Sequence, residues 1–235
     1  MSVDPYMRGR MDKGDSYIPA FELDEVMSGG AIGRVIASKH VEFPIGTLVE
    51  SMFGWREHFV HRCGGSEEML GPEGVLQRRD PELVPPQTYL GVAGIPGLTA
   101  YVGLLTVGAL KKGETVFISA AAGAVGSAAC QIAKRQDCRV IGSASNNEKT
   151  TWLVNEAGVD VCINYKESSN LQATLETACP EGIGVYFENV GGKHLDAALA
   201  SMNEGGSIVV CGLISQYNTT GSIGGPQNFF QVLGK

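Results

Sequence analysis

Ala120-Ala121-Ala122-Gly123-Ala124-Val125-Gly126 closes an apolar run, residues 114–120 (ETVFISA), and opens an amphipathic one, residues 125–135. The first reads as a buried strand and the second as a helix. Aligned by its last two glycines, the heptapeptide is A-x-G-x-x-G, a variant of the fingerprint found at the first strand-to-helix turn of dinucleotide-binding domains. In that setting Gly123 lets the backbone approach a diphosphate, and Gly126 lets the helix pack tightly on the strand. The helix N-terminus adds N–H donors and a partial positive charge. A tight turn with no ligand would also explain the glycines. The strand on one side and the helix on the other favour a cofactor.

The same alternation continues downstream. Residues 139–143, 161–164, 184–189 and 207–212 read as strands, and 148–157, 171–178 and 194–202 as helices. Five strands alternating with four helices predict an α/β fold, a Rossmann doubly wound parallel sheet with helices on both faces. Residues 89–107 read as an apolar helical linker broken near Pro96. Upstream of Pro85-Pro86 the character changes. Residues 31–37 and 47–52 look like strands around a turn at Pro44-Ile45-Gly46, residues 59–60 continue the pattern, and 64–82 read as an irregular excursion. The expected division is a small β domain over 1–88 and the Rossmann domain over 89–235.

Composition excludes several classes. Hydrophobic residues make up 43% of the 235, enough for a packed core. Eighteen basic against 25 acidic residues leave a net charge of −7, which argues against nucleic acid or an anionic membrane as the main partner. Three stretches lack any charge, 83–110, 115–133 and 205–234, but prolines, glycines or polar residues interrupt each, so none reads as a membrane span. Residues 1–8 lack the apolar core of a signal peptide, and a cytoplasmic location is expected. The six cysteines, at 63, 130, 138, 162, 179 and 211, contain no C-x-x-C pair. They read as reduced core residues.

The end of the second Rossmann strand selects between nicotinamide cofactors. An NAD enzyme usually has an acid there for the ribose diol. This chain has Gly142-Ser143-Ala144-Ser145-Asn146-Asn147-Glu148-Lys149. Polar groups and Lys149 suit a 2′-phosphate, and Glu148 has its own reason to sit at a helix start. The simpler reading of Lys149 is an exposed helix lysine. NADP (as NADPH) is favoured over NAD.

Longer strings carry a more specific signal: SVDPYMRGRM (2–11), GGAIGRVIAS (29–38), GIPGLTAY (94–101), AAAGAVGS (120–127), INYK (163–166), YFENVGG (186–192) and CGLISQYN (211–218). In these the chain resembles the prostaglandin reductase and plant alkenal double-bond reductase branch of the zinc-independent medium-chain dehydrogenase/reductases. The resemblance implies a GroES-like β domain joined to the Rossmann domain, NADPH as hydride donor, and small-molecule enals or enones as substrates. It implies that Gly123, Ala124, Val125 and Gly126 hold the diphosphate. Lys149 and Tyr165 would meet the 2′-phosphate end, and Asn189 would lie near the ribose or nicotinamide. Cys211, Gly212, Leu213, Ile214, Ser215, Gln216 and Tyr217 would form the loop beside the nicotinamide. Tyr217 would donate the proton or stabilise the enolate, and Tyr6 would line the substrate site. Each has a structural alternative: Asn189 as a strand-end turn residue, Tyr165 as a packing aromatic, and Tyr217 and Tyr6 as loop anchors.

Family members carry further residues before SVDPYMR and after the position of Gln227. The resemblance therefore implies an incomplete GroES-like β domain and a chain truncated at both ends, compatible with a homodimer. A quinone oxidoreductase of the same superfamily, or a non-catalytic NADP-binding protein, are the alternatives. A zinc site is not expected. His58 and His61 are the only close histidine pair, and three residues apart on a strand they would face opposite ways. His40 and His194 read as surface residues.

Overall fold

The computed structural model describes residues 1–13, 18–62, 75–221 and 224–234. The chain divides into two compact units, Met1–Ile95 and Pro96–Lys235.

In the first unit a short helix α1 (Tyr6–Gly9) precedes a three-stranded antiparallel sheet. Its order is β1 (Ala31–Arg34), β2 (Leu48–Ser51), β3 (Gln77–Arg79). The Pro44-Ile45-Gly46 turn reverses the chain between β1 and β2. Thr47 N donates to Pro44 O at 3.1 Å, and Gly46 has φ +90°, a value that suits glycine at the third turn position. β1 is shorter than expected. Residues 59–60 do not form a strand: Phe59 instead stacks on Phe53 with ring centroids 4.4 Å apart. β3 falls inside the stretch expected to be irregular. It pairs with β2 until Asp80-Pro81, where proline has no amide proton to continue the ladder. Of the expected excursion, residues 64–74 lie outside the described residues, as does Cys63.

The helix α2 (Ile95–Val102) starts at the last residue of the first unit and leads into the second, continued as a wider turn over Gly103–Val107. Pro96 does not break this helix, as the sequence suggested, but lies in its first turn. The missing N–H costs nothing there, because first-turn amides have no partner within a helix. A five-stranded parallel sheet follows, in the order β6 (Val161–Asn164), β5 (Arg139–Ala144), β4 (Thr115–Ile118), β7 (Ile183–Glu188), β8 (Met202–Val210). Four helices connect the strands: α3 (Ala124–Arg135), α4 (Asn147–Asn155), α5 (Leu171–Ala178) and α6 (Lys193–Ser201). The predicted α/β architecture is present, with strand and helix ends shifted by a few residues.

Strand alternation sends side chains to two separate cores. On one face Val116, Ile118, Val140, Val185 and Phe187 pack with Ala129 and Ala133 of α3 and Leu153 of α4. On the other, Phe117, Ile141, Ile163 and Tyr186 pack with Leu175 of α5 and Ala197 and Ala198 of α6. The Phe117 and Tyr186 rings stack at 4.9 Å. Each large side chain buried in this way contributes about 1.5–3 kcal/mol. Asn146 and Asn170 cap α4 and α5, accepting from Lys149 N at 2.9 Å and Ala173 N at 3.1 Å. Cys130, Cys138 and Cys179 are buried thiols as expected, but Cys211 is exposed just past the end of β8. Among the described residues no helix is long and apolar enough to cross a membrane.

Candidate functional site

All five strands of the second unit run parallel, so their carboxyl ends share one edge. The β4–α3 turn sits at the middle of that edge. Ala120 takes φ +48°, a left-handed conformation that costs a non-glycine residue about 1–3 kcal/mol. Gly123 N donates back to Ala120 O at 2.9 Å, and Gly123 then begins α3 with no side-chain cap. Its carbonyl takes Ser127 N at 2.8 Å. The amides of Ala124, Val125 and Gly126 precede the first intrahelical bond and are the donors a helix N-terminus offers to an anion. The two glycines differ. A Cβ on Gly126 would lie 2.3 Å from Ala120 O, so helix and turn touch through the missing side chain. A Cβ on Gly123 would meet only Ala120 O, at 3.2 Å, and would otherwise project into open space.

Next to this turn lies the end of β5. Asn147 accepts from Asn164 Nδ2 at 2.8 Å and donates to Glu167 at 3.0 Å, which ties the β5 and β6 ends together. Lys149 lies in the first turn of α4. Its side chain is exposed and makes no ion pair among the described residues. Tyr165, just after β6, is half-buried, with its ring edge-on to His194 at 4.9 Å.

On the other side of the turn two loops interlock. Asn189 Nδ2 donates to Ser119 O at 2.7 Å. Cys211 N and Gly212 N both donate to Glu188 O, at 2.9 and 3.1 Å. Ile214 N reaches Asn189 O at 3.2 Å, and Ser215 N reaches Val190 O at 3.0 Å. Leu213 and Gln216 pack where a side chain on Gly191 would stand. Tyr217 folds back over this loop: its hydroxyl accepts from Leu213 N at 3.3 Å and lies 2.9 Å from where a Cβ on Gly212 would be. The residues expected around a dinucleotide in this unit therefore do gather along one edge. Tyr6 belongs to the first unit, where it opens α1 beside Gly29.

Sequence reasoning missed what lies beneath the edge. Ser143, Ser119 and Glu188 are completely buried. Ser119 Oγ donates to Glu188 Oε1 at 2.9 Å and accepts from Asn189 N at 2.8 Å, and Val190 N donates to Glu188 Oε1 at 2.6 Å. His194, read as a surface residue, is 4% exposed at the start of α6. A helix start after Gly-Gly looks polar in sequence, yet α6 turns this residue inward against Tyr165. Burial pushes its imidazole pKa down, and Glu188 partly offsets this. Burial likewise pushes the Tyr186 hydroxyl well above the usual phenol range, reinforced by Glu188. The available signal was a lone acid inside the apolar strand Ile183–Glu188, since glutamate is rarely fully buried without partners.

Among the described residues no three His, Cys, Asp or Glu side chains form a group that could hold a metal ion. His61 packs edge-on to Phe53 at 5.6 Å.

Residues 1–69 match a family described as the N-terminal domain of oxidoreductase, and residues 124–231 match one described as zinc-binding dehydrogenase. The chain is 44% identical over 219 residues to a 2-alkenal reductase (NADP(+)-dependent) of Nicotiana tabacum, covering 93% of this chain and 61% of that protein. It is 42% identical over 224 residues to prostaglandin reductase 1 of Rattus norvegicus, covering 94% and 63%. A solved structure of CurA from Vibrio vulnificus in complex with NADPH superposes with a TM-score of 0.87 at 41% identity, over 99% of this chain and 66% of that one. The chain thus spans about three fifths of the length of the curated relatives it matches.

Proposed function

Because the chain belongs to the medium-chain dehydrogenase/reductase superfamily, on the branch of prostaglandin and 2-alkenal reductases, we propose that it binds NADPH along the carboxyl edge of its parallel sheet and serves the reduction of a carbon–carbon double bond conjugated to a carbonyl. The observation that carries this reading is the near-complete superposition on CurA solved with NADPH. The edge itself fits such a cofactor. Three N–H donors open α3 without a side-chain cap, beside a Gly123 whose missing Cβ leaves room for a diphosphate. No acid closes the end of β5, and exposed Asn146 and Lys149 follow it, which suits a 2′-phosphate better than a ribose diol.

In this reading Gly123, Ala124, Val125 and Gly126 hold the diphosphate, Lys149 and Tyr165 the phosphorylated ribose, and Asn189 with the 211–217 loop the nicotinamide half. Bound NADPH supplies a hydride for the β-carbon of the substrate. Negative charge then collects on the carbonyl oxygen and needs a donor. The Tyr217 hydroxyl serves as that donor: the Leu213 amide uses one of its lone pairs and leaves its proton available. Side chains at the edge thus orient and neutralise, while the reducing equivalent comes from the cofactor.

The test is purified protein with NADPH and either a medium-chain enal or a quinone, following absorbance of the reduced nicotinamide. Oxidation with the enal is expected. Oxidation with the quinone alone would overturn the substrate class, and NADPH bound but consumed with neither would point to a non-catalytic binding protein.

A further inference from the structure

Across β5, β4 and β7 the register sets Ile118 beside Gly142 and Phe187. One residue further on, Ser143, Ser119 and Glu188 stand side by side. All face the Phe117–Tyr186 core, because each follows by two residues a member of that core: Ile141, Phe117 and Tyr186. The apolar face therefore ends in a polar row with no exposure to solvent. Burying a carboxyl group at that level is costly unless it is hydrogen-bonded. Here Glu188 Oε1 takes two donors from the end of the row, Ser119 Oγ at 2.9 Å and Val190 N at 2.6 Å. Ser119 passes the chain on by accepting Asn189 N at 2.8 Å, and its carbonyl takes Asn189 Nδ2 at 2.7 Å. These four bonds close a ring that joins the ends of β4 and β7 and fixes the first two residues of the 189–192 turn. The 211–217 loop hangs on that turn through Asn189 O and Val190 O. Glu188 Oε2, Tyr186 OH and His194 Nε2 are buried nearby without a hydrogen-bond partner among the described residues.

We propose that Glu188 and Ser119 are positioning residues that set the shape of the 189–192 turn, and through it the 211–217 loop, for the nicotinamide half of the cofactor. This rests on the NADPH reading above. Neither side chain touches cofactor or substrate. Their hydrogen bonds hold the backbone amides of Asn189 and Val190, and they leave the adenosine side of the edge, built by residues 123–126, 149 and 165, untouched.

That separation makes the proposal testable with two ligands on the full chain. NADPH samples both halves, whereas adenosine 2′,5′-bisphosphate samples only the adenosine half. Ser119→Ala and Glu188→Ala are expected to weaken NADPH about tenfold, the scale of a lost buried hydrogen bond. They should leave the bisphosphate within about threefold of wild type. Glu188→Gln keeps an acceptor oxygen for Ser119 and Val190 and should restore NADPH to within about threefold. Ser119→Ala removes one oxygen and stays informative if Glu188→Ala fails to fold. Equal loss of both ligands in Ser119→Ala would overturn the proposal, as would unchanged NADPH affinity in that variant, or a Gln variant as weak as the Ala variant. A wild-type chain that binds neither ligand overturns the cofactor reading first, a result distinct from these.

Discussion

The Tyr217 hydroxyl accepts a hydrogen bond from the Leu213 amide, four residues earlier in the same loop, at 3.3 Å. This contact alone is what a loop anchor would make. It is also compatible with catalysis, since a phenol that accepts one bond still has its proton to give.

Replacing Tyr217 by Phe separates the two roles. The ring stays, and a single long hydrogen bond is lost, so the melting temperature should move little. If the phenol donates the proton, NADPH affinity should hold while turnover of the enal falls about 10²–10⁴-fold. Turnover unchanged in Tyr217→Phe would leave Tyr217 as an anchor.

The two glycines of the β4–α3 turn should fail in different ways. At Gly126 a methyl group would stand 2.3 Å from a backbone oxygen that cannot move aside. Gly126→Ala should therefore destabilise the fold by about 1–3 kcal/mol, the usual cost of overpacking, and weaken NADPH with it. Gly123 has φ −76°, which alanine accepts. Gly123→Ala should leave the melting temperature near wild type yet raise the NADPH dissociation constant on the order of tenfold, about 1.4 kcal/mol, by filling the space proposed for the diphosphate. Equal thermal losses in both variants would contradict this division.

Much of the second unit is legible in the sequence because its signals are local. The 161–164 and 171–178 segments fall on the observed bounds of β6 and α5, where an apolar run or helical period meets a capping Asn170. The A-x-G-x-x-G turn is legible because Gly126 answers a steric need that no other residue meets. What could not be read is side-chain direction where local character and tertiary packing disagree. His194 follows Gly191-Gly192-Lys193 and looks solvated, but α6 docks with that face inward. Glu188 looks out of place until strand register sets it beside Ser119. In the first unit, β3 depends on pairing with a distant strand, and no period within Gln77–Arg79 announces it.

Lys149 bears on cofactor choice. Its amide caps α4 through Asn146, and its exposed side chain has no ion-pair partner among the described residues. Lys149→Ala therefore keeps the backbone cap and removes only the charge. A lysine that meets the 2′-phosphate predicts about tenfold or greater loss of NADPH affinity, the scale of a charge-assisted hydrogen bond, with NADH little changed. Titrating both cofactors against wild type and variant by fluorescence checks this. Equal weakening of the two would place Lys149 away from the 2′ position.

His194 makes stability depend on acidity in a way that can be assigned. Burial lowers its folded-state pKa below the ordinary value of 6.5, with Glu188 acting in the opposite sense. Between the two values the unfolded chain binds the proton and the folded chain does not, so acid favours unfolding. The neutral imidazole imposes no penalty above pH ~6.5, and stability should fall as pH drops from there through the folded pKa, by at most about 1.4 kcal/mol per pH unit for one site. His61 is also shifted down by burial, so the informative quantity is the difference between wild type and His194→Phe, a ring that keeps the packing on Tyr165 without titrating. Urea unfolding between pH 5 and pH 8, a range of about three units around the ordinary histidine value, should show a shallower acid limb in His194→Phe. Parallel limbs in the two proteins would mean that the imidazole takes up its proton in the folded state as readily as in the unfolded one, in conflict with its burial.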